Sequence, residues 1–419
     1  MPTNTSASFD QAEPEASLLN KLHESQMHHP APVNPMTAYQ TSYIYSPEGV
    51  ANMVEFLANA DELALDVEFD RERFSYGTTI CLIQVFANEH CFLVDPMQGP
   101  PPEALYRLFE NPAIQKIMHA PGEDLQVLHL QKCFPLNVFD TERTARLLNY
   151  ESFSLAALLK ETNGISLNKA IQKTNWTQRP LSEWQIQYAG EDVISLPGLR
   201  NTLIKQVHEK NIDKWVNEEN KAWDTYRAIE KPPGVYTHRD DEKKYSQFDL
   251  FRLNELLAFR DHFARKLNKP GYMVLVRELI DQMIAEPTIL RQWNTLKGIH
   301  PSLRNDHCMN ELQNRLRRAT EKAEKLNLSK THPAKKRRDA GSYPQISLEQ
   351  RQINEEILLA IKAEIALRWG THTAAYILSQ KAIREMAAGT MKLADLPFAY
   401  RQTLIREIAA ELKPGFLLP

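Results

Sequence analysis

Asp66 and Glu68 stand two residues apart in the run Leu63-Ala64-Leu65-Asp66-Val67-Glu68-Phe69-Asp70. An apolar run of this type reads as a strand, and the strand period of two sends both carboxylates to one face. Neighbouring acids repel each other and are costly to hold unpaired away from water. A hard divalent cation relieves that cost, and an all-oxygen donor set suits Mg²⁺ or Mn²⁺. Alone, the pair describes an edge strand with two solvated acids just as well. Two further stretches supply acids. His119-Ala120-Pro121-Gly122-Glu123-Asp124-Leu125 places Asp124 at a helix start directly after a strand, facing the positive helix end. Tyr188-Ala189-Gly190-Glu191-Asp192 places a phenol and a carboxylate four residues apart, on one helix face. Each has an ordinary structural alternative: a simple helix-start acid, or a buried tyrosine beside an exposed acid.

The elements that must position these groups follow from periodicity. A helical pattern over 46–60 precedes the acid-bearing strand at 63–69. Thr79 to Phe86 is a buried-strand run, and Asn88-Glu89 turns it into a strand at 90–94, so three strands close in sequence are expected to be antiparallel. Helices at about 102–110 and 122–131 then alternate with short strands at 116–119 and near 138–139, which predicts a mixed α/β sheet. Helices follow at 154–163 and as one long element from about Ser182 to Lys210. Beyond Pro232-Pro233-Gly234 the pattern is helical over 248–325 and again from Ser347 to about Leu412.

At 419 residues the chain has room for two or three domains. No apolar run is long enough to span a bilayer, and the N-terminus lacks the apolar core of a signal peptide. Residues 1–40, rich in Ser, Thr, Asn, Pro and His, read as a disordered tail. The four cysteines form no CxxC pair, so free buried thiols are expected rather than a structural zinc site. Charge is uneven. Residues 249–339 hold 19 Lys and Arg against 11 Asp and Glu, a surplus of eight within a chain of net charge −3. A basic segment beside an acidic one fits a polyanion-binding part attached to a metal-binding part, although a basic linker with a solvated helix face has the same composition.

In this order and spacing the motifs resemble the tyrosine-bearing branch of the DEDD superfamily of 3′→5′ exonucleases, and most closely the ribonuclease D family. The resemblance spans about residues 45–215. It rests on Leu65-Asp66-Val67-Glu68-Phe69, His119-Ala120 with Asp124-Leu125, Tyr188 with Asp192-Val193, and a further stretch from Leu167-Asn168-Lys169 through Asn175-Trp176 to Arg179-Pro180-Leu181-Ser182. Departures flank the acids without removing one: Asn168 and Asn175 stand where the family often has Asp, and Gly190-Glu191 where small residues are common. The resemblance implies that Asp66, Glu68, Asp124 and Asp192 hold two divalent ions, Mg²⁺ or Mn²⁺. It implies that Tyr188 orients the attacking water, orientation being favoured because a phenol is a poor base at neutral pH. Phe69 and Tyr76 are candidates to stack on terminal bases. Arg71, Arg73, Lys169, Lys297 and His119 are candidates for nucleic-acid contact, although His119 also suits a structural role, and Trp176 is expected in the core.

Leu253 to Arg260, Arg265 with Gly271-Tyr272, and Leu279-Ile280 with Pro287 and Leu296-Lys297-Gly298-Ile299 resemble a helicase-and-ribonuclease-D C-terminal (HRDC) domain. Lys381 to Arg384 and Leu396 to Arg401 suggest a divergent second copy. The expected fold is therefore a ribonuclease H-like α/β exonuclease domain, with a mixed sheet of about five strands flanked by helices, followed by two all-α HRDC-like domains. The expected boundaries are a tail at 1–40, the exonuclease domain at 41–227, a linker at 228–247, a helical domain at 248–326, a basic linker at 327–346 and a second helical domain at 347–419. The expected activity is metal-dependent 3′→5′ trimming of RNA, with tRNA precursors as substrate and nucleoside 5′-monophosphates as product. The layout points to a monomer in a bacterial cytoplasm with no membrane partner. A DNA exonuclease of the Werner type shares the same acids, and a non-catalytic RNA-binding protein would be expected to lack one.

Overall fold

The computed structural model describes residues 39–99, 103–167, 173–229, 232–332 and 346–414. The tail through residue 38, Lys169 and the basic run at 335–338 lie outside the described residues. The sheet domain begins with β1 (Gln40–Ile44), α1 (Pro47–Leu57), β2 (Glu62–Arg71), β3 (Thr78–Ala87) and β4 (His90–Val94). It continues through α2 (Glu103–Phe109), β5 (Gln115–Met118), α3 (Gly122–Leu130), β6 (Val138–Asp140), α4 (Thr141–Leu147) and α5 (Leu155–Asn163). Three helices close it: α6 (Glu183–Ile194), α7 (Leu196–Glu209) and α8 (Asp213–Thr225).

The strands form one six-stranded sheet in the order β1-β4-β3-β2-β5-β6. The expected antiparallel set β2-β3-β4 is present, and parallel pairs β1–β4, β2–β5 and β5–β6 extend it on both sides. The strand beyond the expected five is β1. Its sequence, Gln-Thr-Ser-Tyr-Ile, is polar and short, and parallel pairing with β4 rather than apolar alternation gives it its place. Side chains alternate across β2. Leu63, Leu65 and Val67 face a core closed by α1, α2 and α3. Ala64 faces the opposite core, and Asp66 and Glu68 share its strand parity. Helices cover both faces, so β3 is buried from Ile80 to Ala87.

One expected element is divided. The single helix predicted from Ser182 to Lys210 breaks at Ser195 into α6 and α7. Pro197 lies in the first turn of α7, where its missing N–H and its ring are tolerated, whereas mid-helix they would clash with the carbonyl four residues back.

Residues 241–325 form α9 (Asp241–Lys244), α10 (Gln247–Leu267), α11 (Gly271–Val274), α12 (Arg277–Ala285) and α13 (Asp306–Lys325), with 3₁₀ turns at Pro287–Thr295 and Pro301–Leu303. They enclose a core of their own around Leu256, Phe259, Ile280, Trp293 and Leu312. Part of the stretch read as a linker packs here too. Tyr245 belongs to this core, Tyr236 packs against it, and the buried Asp241 pairs with Arg277 at 2.5 Å. The last region holds α14 (Leu348–Trp369), α15 (Thr371–Ile377), α16 (Gln380–Ala387) and α17 (Ala399–Leu412). Its apolar residues, including Leu358, Ile361, Ile383 and Ile405, run into the same core as Leu147, Val193 and Leu203 of the sheet domain. Polar groups close that seam. Glu219 on α8 receives Arg401 at 2.5 Å, Tyr400 at 2.7 Å and Tyr376 at 3.0 Å, with Glu219 and Arg401 both buried. The Asn149 side chain accepts from the backbone N–H of His372 at 2.8 Å, at the start of α15. The four cysteines are free and buried, as the sequence predicts. Among the described residues no helix is long and apolar enough to cross a membrane.

Candidate active site

Asp66 and Glu68 reach the same side of β2, and a register shift against β3 falls between Glu68 and Phe69. Bulges bend a strand and re-aim its side chains. Behind the shift, Asp70 is buried and gathers the loop after β2. It accepts the backbone N–H groups of Arg73, Phe74 and Ser75 and the Ser75 hydroxyl at 2.9–3.3 Å. Asp124 stands in the first turn of α3, following a turn in which Ala120 takes a left-handed φ of 51°. The Ala120 N–H is tied to Asp140 at 3.1 Å, which anchors that turn to the end of β6.

Tyr188 and Asp192 come from α6, whose start is fixed firmly. Ser182 and Gln185 form a reciprocal capping box, and the Gln185 amide also donates to Thr174 and to the Asn175 carbonyl. The loop before α6 is pinned to the sheet by Arg179. Its guanidinium makes a two-pronged pair with Asp95 at 2.6 and 2.8 Å and donates to the Cys81 carbonyl at 2.6 Å. Trp176 is buried in this loop, 6.2 Å from the Tyr188 ring, as its expected core role requires.

These elements bring the acids together. One carboxylate oxygen each from Asp66, Glu68 and Asp192 lie within 4.8 Å of one another. Asp124 stands outside that triad, but its charge is felt by Glu68 and it feels that of Asp66. The acids line a cleft of about 520 Å³ together with Phe69, His119 and Tyr188. Burial is the main cause that raises the Asp66 carboxyl to about 6. Burial first, then the neighbouring carboxylates, hold Glu68, Asp124 and Asp192 well above the ordinary carboxylate range. Among the described residues, none lining the cleft is a lysine or an arginine. His119 does not substitute for one, since burial lowers its imidazole to about 4 and leaves it neutral at pH 7. Converging oxygen donors, half-buried at Asp66 and Glu68 and buried at Asp124 and Asp192, are what a hard divalent cation requires, so the residues present fit the metal.

Tyr188 is hydrogen-bonded to Asp192. Burial, followed by the charges of Asp192, Glu68 and Asp66, pushes its phenol far above its ordinary value. It is therefore a hydrogen-bond donor and not a base at neutral pH.

The candidate contact residues separate into two groups. Phe69 and His119 line the cleft. Arg71 stands beside it, 4.9 Å over the Phe69 ring, and donates to the Glu123 carbonyl at 3.1 Å. Tyr76 does not join Phe69 there. Its hydroxyl donates to Asp261 of α10 at 2.8 Å and accepts from Arg265, so the loop that carries it is drawn to the first helical region. Arg73 donates to the Lys173 carbonyl at 2.9 Å. Lys297 is exposed in the first helical region, outside the cleft lining, and Lys169 lies outside the described residues. Asp70, Asp95 and the network around Arg179 were not read from the sequence as site-forming. Their only signal was adjacency, Asp70 to the first acid motif and Arg179 within the quoted Arg179-Pro180-Leu181-Ser182.

A mixed sheet with four acids and a tyrosine converging beside it defines a 3′→5′ exonuclease domain of the DEDD type, which depends on divalent metal. The comparisons agree: a family model described as a 3′-5′ exonuclease matches residues 41–208. Ribonuclease D of Zymomonas mobilis is 30% identical over 283 residues, covering 66% of this chain and 71% of that protein. Ribonuclease D of Nitrobacter hamburgensis is 27% identical over 254 residues, covering 60% and 66%. The chain belongs to the ribonuclease D family of 3′→5′ exoribonucleases. Its fold is shared with Escherichia coli RNase D, an exoribonuclease involved in structured RNA processing, at TM-score 0.61 and 23% identity over 90% of this chain and all of that one. It is also shared with the catalytic core of RRP6 from Trypanosoma brucei, at TM-score 0.59 and 20% identity over 74% and 90%.

Proposed function

We propose that this chain trims the 3′ ends of structured RNA, with tRNA precursors as its substrate class, and releases nucleoside 5′-monophosphates. The observation that carries the reading is the convergence of Asp66, Glu68 and Asp192, with Asp124 beside them, in one cleft. In this reading the four acids hold two divalent ions, Mg²⁺ or Mn²⁺. Such ions, when bound, acidify water and neutralise charge at the scissile phosphodiester.

The chain's own residues do the rest. Tyr188, a donor anchored on Asp192, orients the attacking water. The bulge after Glu68 fixes the angle between the β2 acids and Asp192, and the Arg179–Asp95 pair fixes the loop that feeds α6. Phe69 and His119 contact the terminal nucleotide, and Arg71 contacts phosphate beside the cleft. Residues 248–326 and 347–419 act as HRDC-type modules joined by a basic linker at 327–346. The surplus of basic residues in the first module and the linker supplies sequence-independent phosphate contacts, so affinity should fall steeply with salt.

The test offers the protein two substrates: a tRNA carrying a 3′ extension, and a DNA duplex with a recessed 3′ end. Shortening of the tRNA extension with release of 5′-monophosphates is the expected result. Preferential degradation of the DNA would move the assignment to a DNA exonuclease.

A further inference from the structure

The chain has six tryptophans, and five of them are buried or half-buried. Trp184 is the exception, with 64% of its surface exposed. Tryptophan is among the costliest side chains to leave in water and is highly buried on average. Trp184 has no ring or hydrogen-bond partner among the described residues.

Its position gives the exposure a meaning. Trp184, Tyr188 and Asp192 are spaced by four on α6, and residues four apart lie one above the other on a helix face. Tyr188 and Asp192 line the acidic cleft. Trp184 continues the same stripe by one turn toward the N-terminus, about 6 Å along the axis from Tyr188 and about 12 Å from Asp192. Helical side chains also tilt toward the N-terminus, which carries the indole further from the acids and out of the cleft. The helix start beneath it is rigid, because the Ser182–Gln185 capping box and the Arg179 anchor fix it. An unpartnered aromatic side chain on a firmly capped helix start therefore stands just beyond the cleft that holds the acids.

We propose that Trp184 forms a nucleobase-stacking subsite at the mouth of the cleft, for an unpaired base of the RNA strand on the 5′ side of the linkage being cut. The proposal rests on the exoribonuclease reading above. A strand whose terminal linkage lies at the acids must lead its preceding nucleotides out of the cleft. Stacking on an aromatic face accepts any base, which suits an enzyme that removes nucleotides in succession. The subsite is built on a helix rather than a loop, so its distance from the acids is fixed.

The test is binding of a short single-stranded oligoribonucleotide to full-length protein carrying Asp66→Asn, with Mn²⁺ present, followed by fluorescence anisotropy of the RNA and by tryptophan emission. Three proteins are compared: this parent, the parent with Trp184→Ala and the parent with Trp184→Phe. Both substitutions fall at an exposed position in a first helical turn, and unchanged thermal unfolding serves as the folding control. The proposal expects the parent's emission to be quenched on binding, Trp184→Ala to bind on the order of tenfold more weakly, and Trp184→Phe to recover most of the loss. It also expects an RNA made abasic at the second and third positions from its 3′ end to bind the parent and Trp184→Ala equally. Equal affinity of parent and Trp184→Ala for the intact RNA would overturn the subsite and leave the exoribonuclease reading standing. Absence of RNA binding, by the parent and also by the unsubstituted protein in chelator, would overturn both.

Discussion

Residues 247–325 close a core of their own, whereas residues 348–412 complete a core that begins in the sheet domain. The two regions have similar helical patterns in the sequence, yet they are coupled to the catalytic unit by different physics. The first meets it mainly through polar contacts at one loop, Tyr76 with Asp261 and Arg265 and the Tyr272 hydroxyl with the Arg73 carbonyl at 2.9 Å, with the Tyr76 ring packed against the edge of its core. The second meets it through continuous apolar packing and the buried Glu219–Arg401 pair. Polar surface contacts exchange with water at little net cost, while a shared core cannot be separated without exposing it. The first region thus keeps its core separate from the sheet domain, and the second shares one with it. The Tyr76 loop leaves the same strand that carries Asp66 and Glu68, so the first region is tied to the chain close to the acids.

The largest test of this contrast is Arg401→Ala. It leaves the Glu219 carboxylate buried beside Tyr376 and Tyr400 with its nearest cation removed, a loss of about 3–5 kcal/mol. Urea unfolding should show the sheet domain and the C-terminal region destabilised together. Retention of the sheet-domain transition at its native midpoint would break the comparison.

Next in size is metal. The Asp66 carboxyl is raised to about 6 in the metal-free fold, above its ordinary value of 3.8. A carboxyl with a raised folded pKa favours folding when protonated, so its contribution is present at low pH and is lost as pH rises through about 6. Metal-free protein should therefore unfold at lower temperature at pH 8 than at pH 5, with Mn²⁺ giving the larger rescue at pH 8. Binding at a hundredfold over Kd is worth about 2.7 kcal/mol. Calorimetry should place that gain in the unit containing the sheet and the C-terminal region, and leave the core of residues 247–325 unmoved. An equal shift in both would mean that the first region is coupled more tightly than its contacts imply.

The smallest effect is expected from Tyr76→Phe. It removes the hydroxyl bonded to Asp261 and Arg265 at a partly exposed site, for about 1 kcal/mol or less. Global stability should barely change, while hydrogen exchange in residues 71–77 should rise.

The grouping of the acids with Tyr188 was legible because acid spacing is local: two residues on a strand and four on a helix fix which side chains share a face. Trp176 was legible from its type alone, since tryptophan is highly buried on average even within a polar stretch. What escaped depends on partners distant in sequence. Strand β1 exists through pairing with residues fifty positions later, and Arg179 acquires its role from Asp95 across the sheet. Tyr76 looked like a companion to Phe69, but the first helical region supplies it with a charged pair instead. The split between α6 and α7 was within reach, because Pro197 stands in the sequence and its cost inside a helix is large. The shared core of the C-terminal region could not be read at all, since an amphipathic stripe shows that a helix is covered without showing by what.

The most direct test of the central claim follows the 5′-labelled products of an RNA with a free 3′ end, for the native protein and for Asp66→Asn, with Mg²⁺, with Mn²⁺ and with chelator. The acid cluster predicts a ladder shortening from the 3′ end with metal, none with chelator, and none from Asp66→Asn under any condition. A ladder that persists in chelator, or in Asp66→Asn with metal, would contradict it.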